Sequence, residues 1–174
     1  MSIMRPLDRA IHLATVAHTG QKRKYTGAPY IGHPLEVMGI VRTVPHTTEM
    51  LMAAVLHDVV EDTPTSIELI TEAFGAKVAA LVSDLTDIST PEDGNRAVRK
   101  AKDRDHSAAA SADAQTIKYA DLIANSSSII KHDPSFAKVF MQEKKLLLDV
   151  MDKGDASLRA KAFDIVNKYV TGDV

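Results

Sequence analysis

The chain has 174 residues, 45% of them hydrophobic and 25% charged, and it contains no cysteine. This composition is typical of a soluble globular protein, and a chain of this length can bury a core without disulfides. The absence of cysteine excludes a disulfide framework and a thiolate metal site, so a bound metal would need His, Asp or Glu ligands. The net charge of -2 argues against a general coat for a nucleic-acid polymer.

The N-terminal segment predicts neither a signal peptide nor a membrane anchor. Arg5, Asp8, Arg9 and His12 interrupt its apolar residues, and no later segment approaches the ~20 apolar residues that cross a membrane. We therefore predict a cytoplasmic protein with no membrane partner. The sequence leaves its oligomeric state open.

Apolar residues recur at helical spacing nearly throughout the chain, as at Leu7, Ile11 and Ala14, whereas alternating strand patterns are missing. The sequence therefore predicts an all-α fold, a single helical bundle over residues 1–174. Gly75 and Gly154 are typical of helix C-termini, and Pro34 suits a first helical turn. In chain order, the predicted helices span 6–18, 34–43, 47–61, 66–74, 76–86, 95–107, 113–129, 135–152 and 155–170.

The predicted helix 47–61 is apolar along most of its length but ends in ionisable residues. Residues four and seven apart share a face of a continuous helix, so each of two apolar faces ends in an ionisable pair. For a bare His-Asp pair, a helix end that reaches water is the more frequent explanation. The two faces are Met50, Ala54, His57 and Glu61, and Leu51, Val55, Asp58 and Asp62.

Two other segments carry side chains of the same kind. His33 lies directly before Pro34, and Asp121 shares a face with Asn125 on a later predicted helix. Taken singly, His33 suits a helix N-cap and Asp121 a solvated carboxylate. Taken together, two imidazoles and two carboxylates suit a divalent ion of the Mn, Fe or Zn kind, with positions left for water and substrate. This candidate ligand set is His33, His57, Asp58 and Asp121.

Two basic segments are, taken alone, mostly solvated surface, and the alternative for each is a site for an anion. The stretch "QKRKYTG" (21–27) places Lys22, Arg23 and Lys24 before a turn, and "RKAKDRDH" (99–106) is a mixed face with an excess of base. A guanidinium can stack on a nucleobase, and a lysine can act as a point charge towards phosphate. Spacing alone does not show which lysine would face a ligand.

Three ordered blocks resemble the HD-domain metal-dependent phosphohydrolases, and within them the SpoT/RelA hydrolase branch. The blocks are "HTGQKRKYTGAPYIGHPLEV" (18–37), "AAVLHDVVEDT" (53–63) and "KYADLIANSSSI" (118–129). Over about residues 5–150 the chain is similar to the stand-alone small alarmone hydrolases, a group that includes the metazoan SpoT homologue. The resemblance implies that the metal, usually manganese, is bound by His33, His57, Asp58 and Asp121. It also implies that Glu61 and Asp62 handle the attacking water, and that Arg23, Lys24 and Asn125 contact the nucleotide.

The implied activity is hydrolysis of the 3′-pyrophosphate of a guanosine alarmone, (p)ppGpp, to GDP or GTP and pyrophosphate, as in the stringent response. The implied partner is thus a small nucleotide and the implied cofactor is Mn2+ or another divalent ion. Two alternatives stay open. One is an HD phosphohydrolase that acts on an adenosine alarmone or on the 2′-phosphate of NADPH. The other is a nucleotide-binding module without chemistry. The presence of all four implied ligands together with Glu61 and Asp62 counts against it.

The helix after the third block departs from the family pattern. An Arg and a Tyr are common there, whereas this chain offers Lys138 and Phe140 as the nearest residues. Contacts from this helix to the base and ribose are therefore left open.

Overall fold

The computed structural model describes residues 4–172, and this range contains ten α-helices, one short 3-10 helix and no β-strand. The predicted all-α class is confirmed. The helices fall into two compact units, Met1–Thr86 and Asp87–Val174. A single domain over 1–174 stays a prediction, and its outermost residues, 1–3 and 173–174, lie outside the described range. No helix within residues 4–172 is long and apolar enough to cross a membrane.

The first unit is built around helix α3, in which every side chain from residue 50 to residue 56 is buried. A short helix that is apolar all round must be covered on all sides. Helices α1, α2 and α6 pack against it, and α5 packs against α6. The six helices are α1 (Pro6–Ala17), α2 (Gly32–Val41), α3 (Thr48–Leu56), α4 (Val59–Asp62), α5 (Ile67–Phe74) and α6 (Ala76–Leu85).

The second unit is built around the longest helix, α8, against which α9 and α10 pack, while α7 packs on α9. The buried Tyr119 ties α8 to the end of α9, because its hydroxyl donates a hydrogen bond to the carbonyl oxygen of Met151 at 2.7 Å. After a 3-10 helix at Pro91–Asp93, the four helices are α7 (Arg96–Ala109), α8 (Ala112–His132), α9 (Pro134–Val150) and α10 (Ala156–Thr171).

The predicted helix 47–61 is wrong as a continuous element, because it is divided at His57 and Asp58. Helix α3 ends at Leu56, and α4 begins at Val59 with Asp58 as its N-cap residue at φ -98° and ψ -5°. The His57 ring nitrogen Nδ1 lies 2.7 Å from the carbonyl oxygen of Ala54. In a continuous helix that carbonyl would pair with the amide of residue 58. The ring therefore competes with the backbone where the helix breaks.

The sequence predicted that Gly154 ends a helix, and this prediction is wrong. Gly154 lies in the loop between α9 and α10. A Cβ atom there would lie 2.6 Å from the Tyr119 ring and 2.8 Å from the amide nitrogen of Thr116. The glycine is therefore needed for close approach of the loop to α8. By contrast, Gly75 does follow α5, at φ +90°.

Candidate metal centre

Three of the four predicted metal ligands meet in the first unit. His33 comes from α2, and His57 and Asp58 come from the break between α3 and α4. One ligand atom from each lies within 4.8 Å of the others. The Nε2 atoms of His57 and His33 lie 3.0 Å and 3.8 Å from Asp58 Oδ2. The helix break thus places the side chains of His57 and Asp58 at the end of the buried apolar helix α3.

Burial separates this cluster from an ordinary polar surface. His33 and His57 are only 2% and 4% exposed, and the Asp58 side chain is 19% exposed. Buried polar groups are costly unless hydrogen bonds, charges or a metal compensate them. Two buried imidazoles that converge on one carboxylate are the donor types that divalent transition metals accept. The three residues therefore fit a divalent ion.

Further hydrogen bonds orient two of these side chains. The bond between His57 Nδ1 and the Ala54 carbonyl leaves Nε2 on the side that faces Asp58. The Tyr30 hydroxyl donates to Asp58 Oδ2 at 2.5 Å. Such contacts fix the tautomer and orientation of ligands at metal sites. Tyr30 is therefore a positioning residue for the cluster.

The predicted acidic pair lies on α4, one turn beyond the cluster. Glu61 and Asp62 are both exposed. Gln21 donates a hydrogen bond from Nε2 to Asp62 Oδ2 at 3.2 Å, and its Oε1 lies 2.7 Å from Nδ1 of the buried His18. A chain of side chains from the first sequence block therefore holds one of the two exposed carboxylates.

The predicted substrate contacts Arg23 and Lys24 lie in the loop between α1 and α2. The loop is closed by a hydrogen bond from the Arg23 amide to the Ala28 carbonyl at 2.8 Å, and it turns at Gly27 with φ +67°. A positive φ of this size favours glycine. The Arg23 guanidinium lies 5.8 Å from the centre of the Tyr30 ring. Arg23 is thus directed towards the tyrosine that bonds Asp58, whereas Lys24 is exposed.

The remaining predicted residues, Asp121 and Asn125, belong to α8 of the second unit. Both are half-buried, and Asn125 Nδ2 donates to Asp121 Oδ1 at 2.8 Å. The predicted shared helix face is therefore observed. The roles of Asp121 as a fourth ligand and of Asn125 as a nucleotide contact stay predictions.

Sequence reasoning missed Tyr30 and Gln21, although both lie in the first block. Tyr30 is separated from Asp58 by 28 positions and Gln21 from Asp62 by 41 positions. No helical or strand periodicity connects residues at such distances. The available signal was a tyrosine three residues before a candidate ligand, His33.

Comparison with known proteins relates this chain to a known family. The HD domain family matches residues 10–127. The guanosine-3′,5′-bis(diphosphate) 3′-pyrophosphohydrolase MESH1 of Danio rerio is 34% identical over 125 residues, which cover 68% of this chain and 66% of that protein. The Aquifex aeolicus protein of the same enzyme name is 46% identical over 82 residues, 47% of this chain. That match spans only 12% of the Aquifex protein, and a Synechocystis relative is matched over 10% of its length.

A solved structure of a metazoan ortholog of SpoT that hydrolyzes ppGpp superposes with a TM-score of 0.84 at 28% sequence identity. The superposition covers 97% of both chains. The fold, the HD domain match and the buried His-Asp cluster together indicate binding of a divalent metal. Because the family match spans more than half of the sequence, the chain belongs to the HD domain family.

Proposed function

We propose that this protein is a divalent-metal-dependent guanosine-3′,5′-bis(diphosphate) 3′-pyrophosphohydrolase, with manganese as its ion. It would convert (p)ppGpp to GDP or GTP and pyrophosphate. The observation that carries the proposal is the buried cluster of His33, His57 and Asp58, in a chain whose relatives are named for this reaction.

The proposed ligands are the three clustered side chains together with Asp121. A bound divalent ion supplies Lewis acidity, which favours ionisation of water and offsets charge on phosphoryl oxygens. The protein contributes orientation. Tyr30 holds one Asp58 oxygen through its hydroxyl, and the Ala54 carbonyl holds the His57 ring.

The chemistry requires one proton acceptor and one proton donor. The oxygen of water forms a bond to the phosphorus that carries the ribose 3′ oxygen, the bond between that phosphorus and the 3′ oxygen breaks, and pyrophosphate leaves as a unit. The water gives up a proton and the 3′ oxygen gains one. We assign the acceptor role to Asp62, with Glu61 beside it, because a carboxylate held in place can accept this proton. Gln21 positions Asp62.

Three side chains are proposed to hold the nucleotide. Arg23 can stack its planar guanidinium on the base, Lys24 can pair with a phosphate, and Asn125 can donate or accept a hydrogen bond. The direction of Arg23 towards Tyr30 supports its place near the proposed reaction.

Product analysis tests the proposed reaction. The manganese-loaded protein is incubated in parallel with ppGpp, the corresponding adenosine alarmone and NADPH, and released phosphate and pyrophosphate are measured separately. We expect one pyrophosphate and one GDP for each ppGpp consumed. Faster release of phosphate from NADPH would favour the alternative phosphohydrolase activity. Metal-loaded protein that hydrolyses none of the three would contradict the proposal.

The ligand set is tested by metal content. We expect about one metal ion per chain, because the four proposed ligands come from three separate segments and suit a single site. Asp121→Ala should weaken metal binding, whereas Lys24→Ala should leave the metal in place and weaken substrate binding. Equal loss of metal in both variants would contradict the roles assigned to these two residues.

A further inference from the structure

A charged cavity lies within the second unit, and no proposed catalytic role uses it. Its volume is about 50 Å3, which admits a group of a few heavy atoms but not a nucleoside. Two of its basic residues belong to the segment 99–106, whose excess of base suggested an anion contact from the sequence. The four cationic side chains that line it are Lys100, Arg104, Lys118 and Lys144.

Two of the three carboxylates that line the cavity accept hydrogen bonds from groups that do not line it. The buried Asp103 accepts hydrogen bonds from the amides of Ile88 and Ser89 at 3.0 Å and 2.9 Å, and from the Ser89 hydroxyl at 2.7 Å. Glu143 accepts two bonds from the Arg96 guanidinium, at 2.7 Å and 2.9 Å. Arg96, which does not line the cavity, thus offsets the Glu143 charge.

The third carboxylate, Asp87, lies among the lysines. Its oxygens lie 3.3 Å from Lys100 Nζ and 3.9 Å from Lys118 Nζ. Burial alone would raise the pKa of Asp87, but Lys118 and Lys100 outweigh it and lower the pKa below its usual value. Asp87 is therefore ionised at neutral pH, yet it is a single negative charge beside several positive ones.

Lys144 is the fourth cationic side chain of the cavity, and two other lysines of the cavity lie near it. Burial of its ammonium lowers its pKa to about 8, repulsion from Lys118 and Lys100 adds to the effect, and attraction to Asp121 and Asp87 opposes it. The ammonium lies 4.9 Å from the centre of the Phe140 ring, which offers only a weak compensation. An anion in the cavity would relieve this repulsion.

We propose that the cavity formed by Lys100, Arg104, Lys118 and Lys144 binds a phosphoryl group. Several ammonium and guanidinium donors around a small space suit tetrahedral oxyanions, and such charge-assisted bonds are stronger than neutral ones. Two sources share this chemistry: a phosphate of a bound nucleotide, and free inorganic phosphate or pyrophosphate. The proposal rests on residues of the second unit and does not depend on the proposed hydrolysis.

The test measures anion binding to the full-length protein after removal of metal with EDTA, so that neither turnover nor a metal-held phosphate contributes. Pyrophosphate and phosphate are titrated calorimetrically at constant ionic strength. We expect saturable binding of about one anion per chain. Lys100→Gln and Lys144→Met should each weaken it about 10-fold or more, because a charged hydrogen bond is lost. The matched control is Lys145→Gln, whose ammonium pairs with Asp149 at 3.3 Å and which should bind as the parent does.

Competition identifies the source of the phosphoryl group. If GDP displaces pyrophosphate and the same two variants weaken GDP, the cavity takes a nucleotide phosphate. If pyrophosphate binds and GDP does not compete, the cavity takes the free anion. Either of these two results supports the proposal. Thermal unfolding of each variant checks the fold, and Lys100→Gln keeps the test valid if Lys144→Met alters packing. No saturable binding, or equal weakening in Lys145→Gln, would overturn the proposal.

Discussion

The His-Asp cluster of the first unit and the charged cavity of the second unit handle ionisable side chains in opposite ways. The cluster places two imidazoles and one carboxylate at a break in an apolar helix, and both rings are almost fully buried. The cavity instead combines four cationic side chains with carboxylates that are partly committed elsewhere. The cluster can coordinate a cation through nitrogen and oxygen lone pairs, and the cavity can donate hydrogen bonds to an anion.

The two sites differ in the kind of polar group that they bring together, and that kind indicates the type of ligand that each can take. Buried imidazole and carboxylate groups suit a metal, and crowded ammonium groups suit a phosphate. The proposed hydrolysis of a multiply phosphorylated nucleotide would make use of both.

The largest effect is expected for Asp62→Asn, which keeps the shape of the side chain but removes the proposed proton acceptor. Turnover should fall by ~10²–10⁴-fold, the usual range for losing general acid-base catalysis. Metal content should stay at the parent level, and Glu61→Gln should have a similar or milder effect, since adjacent carboxylates can share the role. Single-turnover hydrolysis with saturating manganese measures this.

Glu68→Gln is a matched control for Asp62→Asn, because Glu68 is another exposed carboxylate in the first turn of a helix of the same unit. It should react at the parent rate. Near-parent turnover in Asp62→Asn would mean that the acidic pair has a structural role in α4 and no role in proton transfer.

Tyr30→Phe should weaken metal binding by ~10–100-fold, the range reported for groups that orient metal ligands. The change removes only the hydroxyl that donates to Asp58. Tyr25→Phe, in the same loop, is the control and should bind metal as the parent does. Competition with a fluorescent chelator gives both affinities. Equal affinities in the parent and Tyr30→Phe would show that the contact does not position Asp58.

Much of the fold followed from the sequence, because helix periodicity and capping residues are local signals. The N-caps Thr47, Ser66, Asn95 and Ser111 each accept a backbone amide at a helix start near a predicted boundary. The break at His57 was not predictable in this way. At the break, the His57 ring bonds the Ala54 carbonyl oxygen, which in a continuous helix would accept a backbone amide instead.

The sites were predictable only in part, for a related reason. The types of His33, His57 and Asp58 indicated a metal, and the structure brings these three together. Tyr30 and Gln21 were missed because their partners are distant in sequence. The segment 99–106 was interpreted mainly as a solvated face, yet Asp103 within it is 6% exposed and holds the chain at Ile88 and Ser89.

Asp103→Ala should therefore lower the free energy of unfolding by about 1–3 kcal/mol, because two partly buried backbone amides lose their acceptor. The exposed Asp105, on the same helix, provides the control, and Asp105→Ala should change stability by no more than about 0.5 kcal/mol. Urea unfolding followed by circular dichroism compares the two variants. Similar stabilities would mean that water replaces the Asp103 carboxylate without cost.

The smallest expected effect is the pH dependence of stability that comes from Lys144. Its pKa is about 8 in the folded protein and 10.5 for an ordinary lysine. Below pH 8 both states carry the proton and the folded state bears the full penalty of the buried charge. Between pH 8 and 10.5 the unfolded state binds more protons, so the free energy of unfolding rises with pH. Lys100, Lys118, Asp87 and Asp121 are the charged groups around this ammonium.

Lys144→Met removes this contribution, so the variant should gain stability relative to the parent at pH 7.5 and lose that advantage by pH 10. The expected change in the difference is about 1 kcal/mol, because partial exposure of the side chain lets water screen the charge. Urea unfolding in phosphate-free buffer at the two pH values measures it. Lys145→Met should show no such change, since its ammonium lies on the exposed side of α9 beside Asp149. A stability difference that stays constant with pH would mean that Lys144 is already compensated in the folded protein, and the excess of positive charge in the cavity would then rest on Lys100, Lys118 and Arg104.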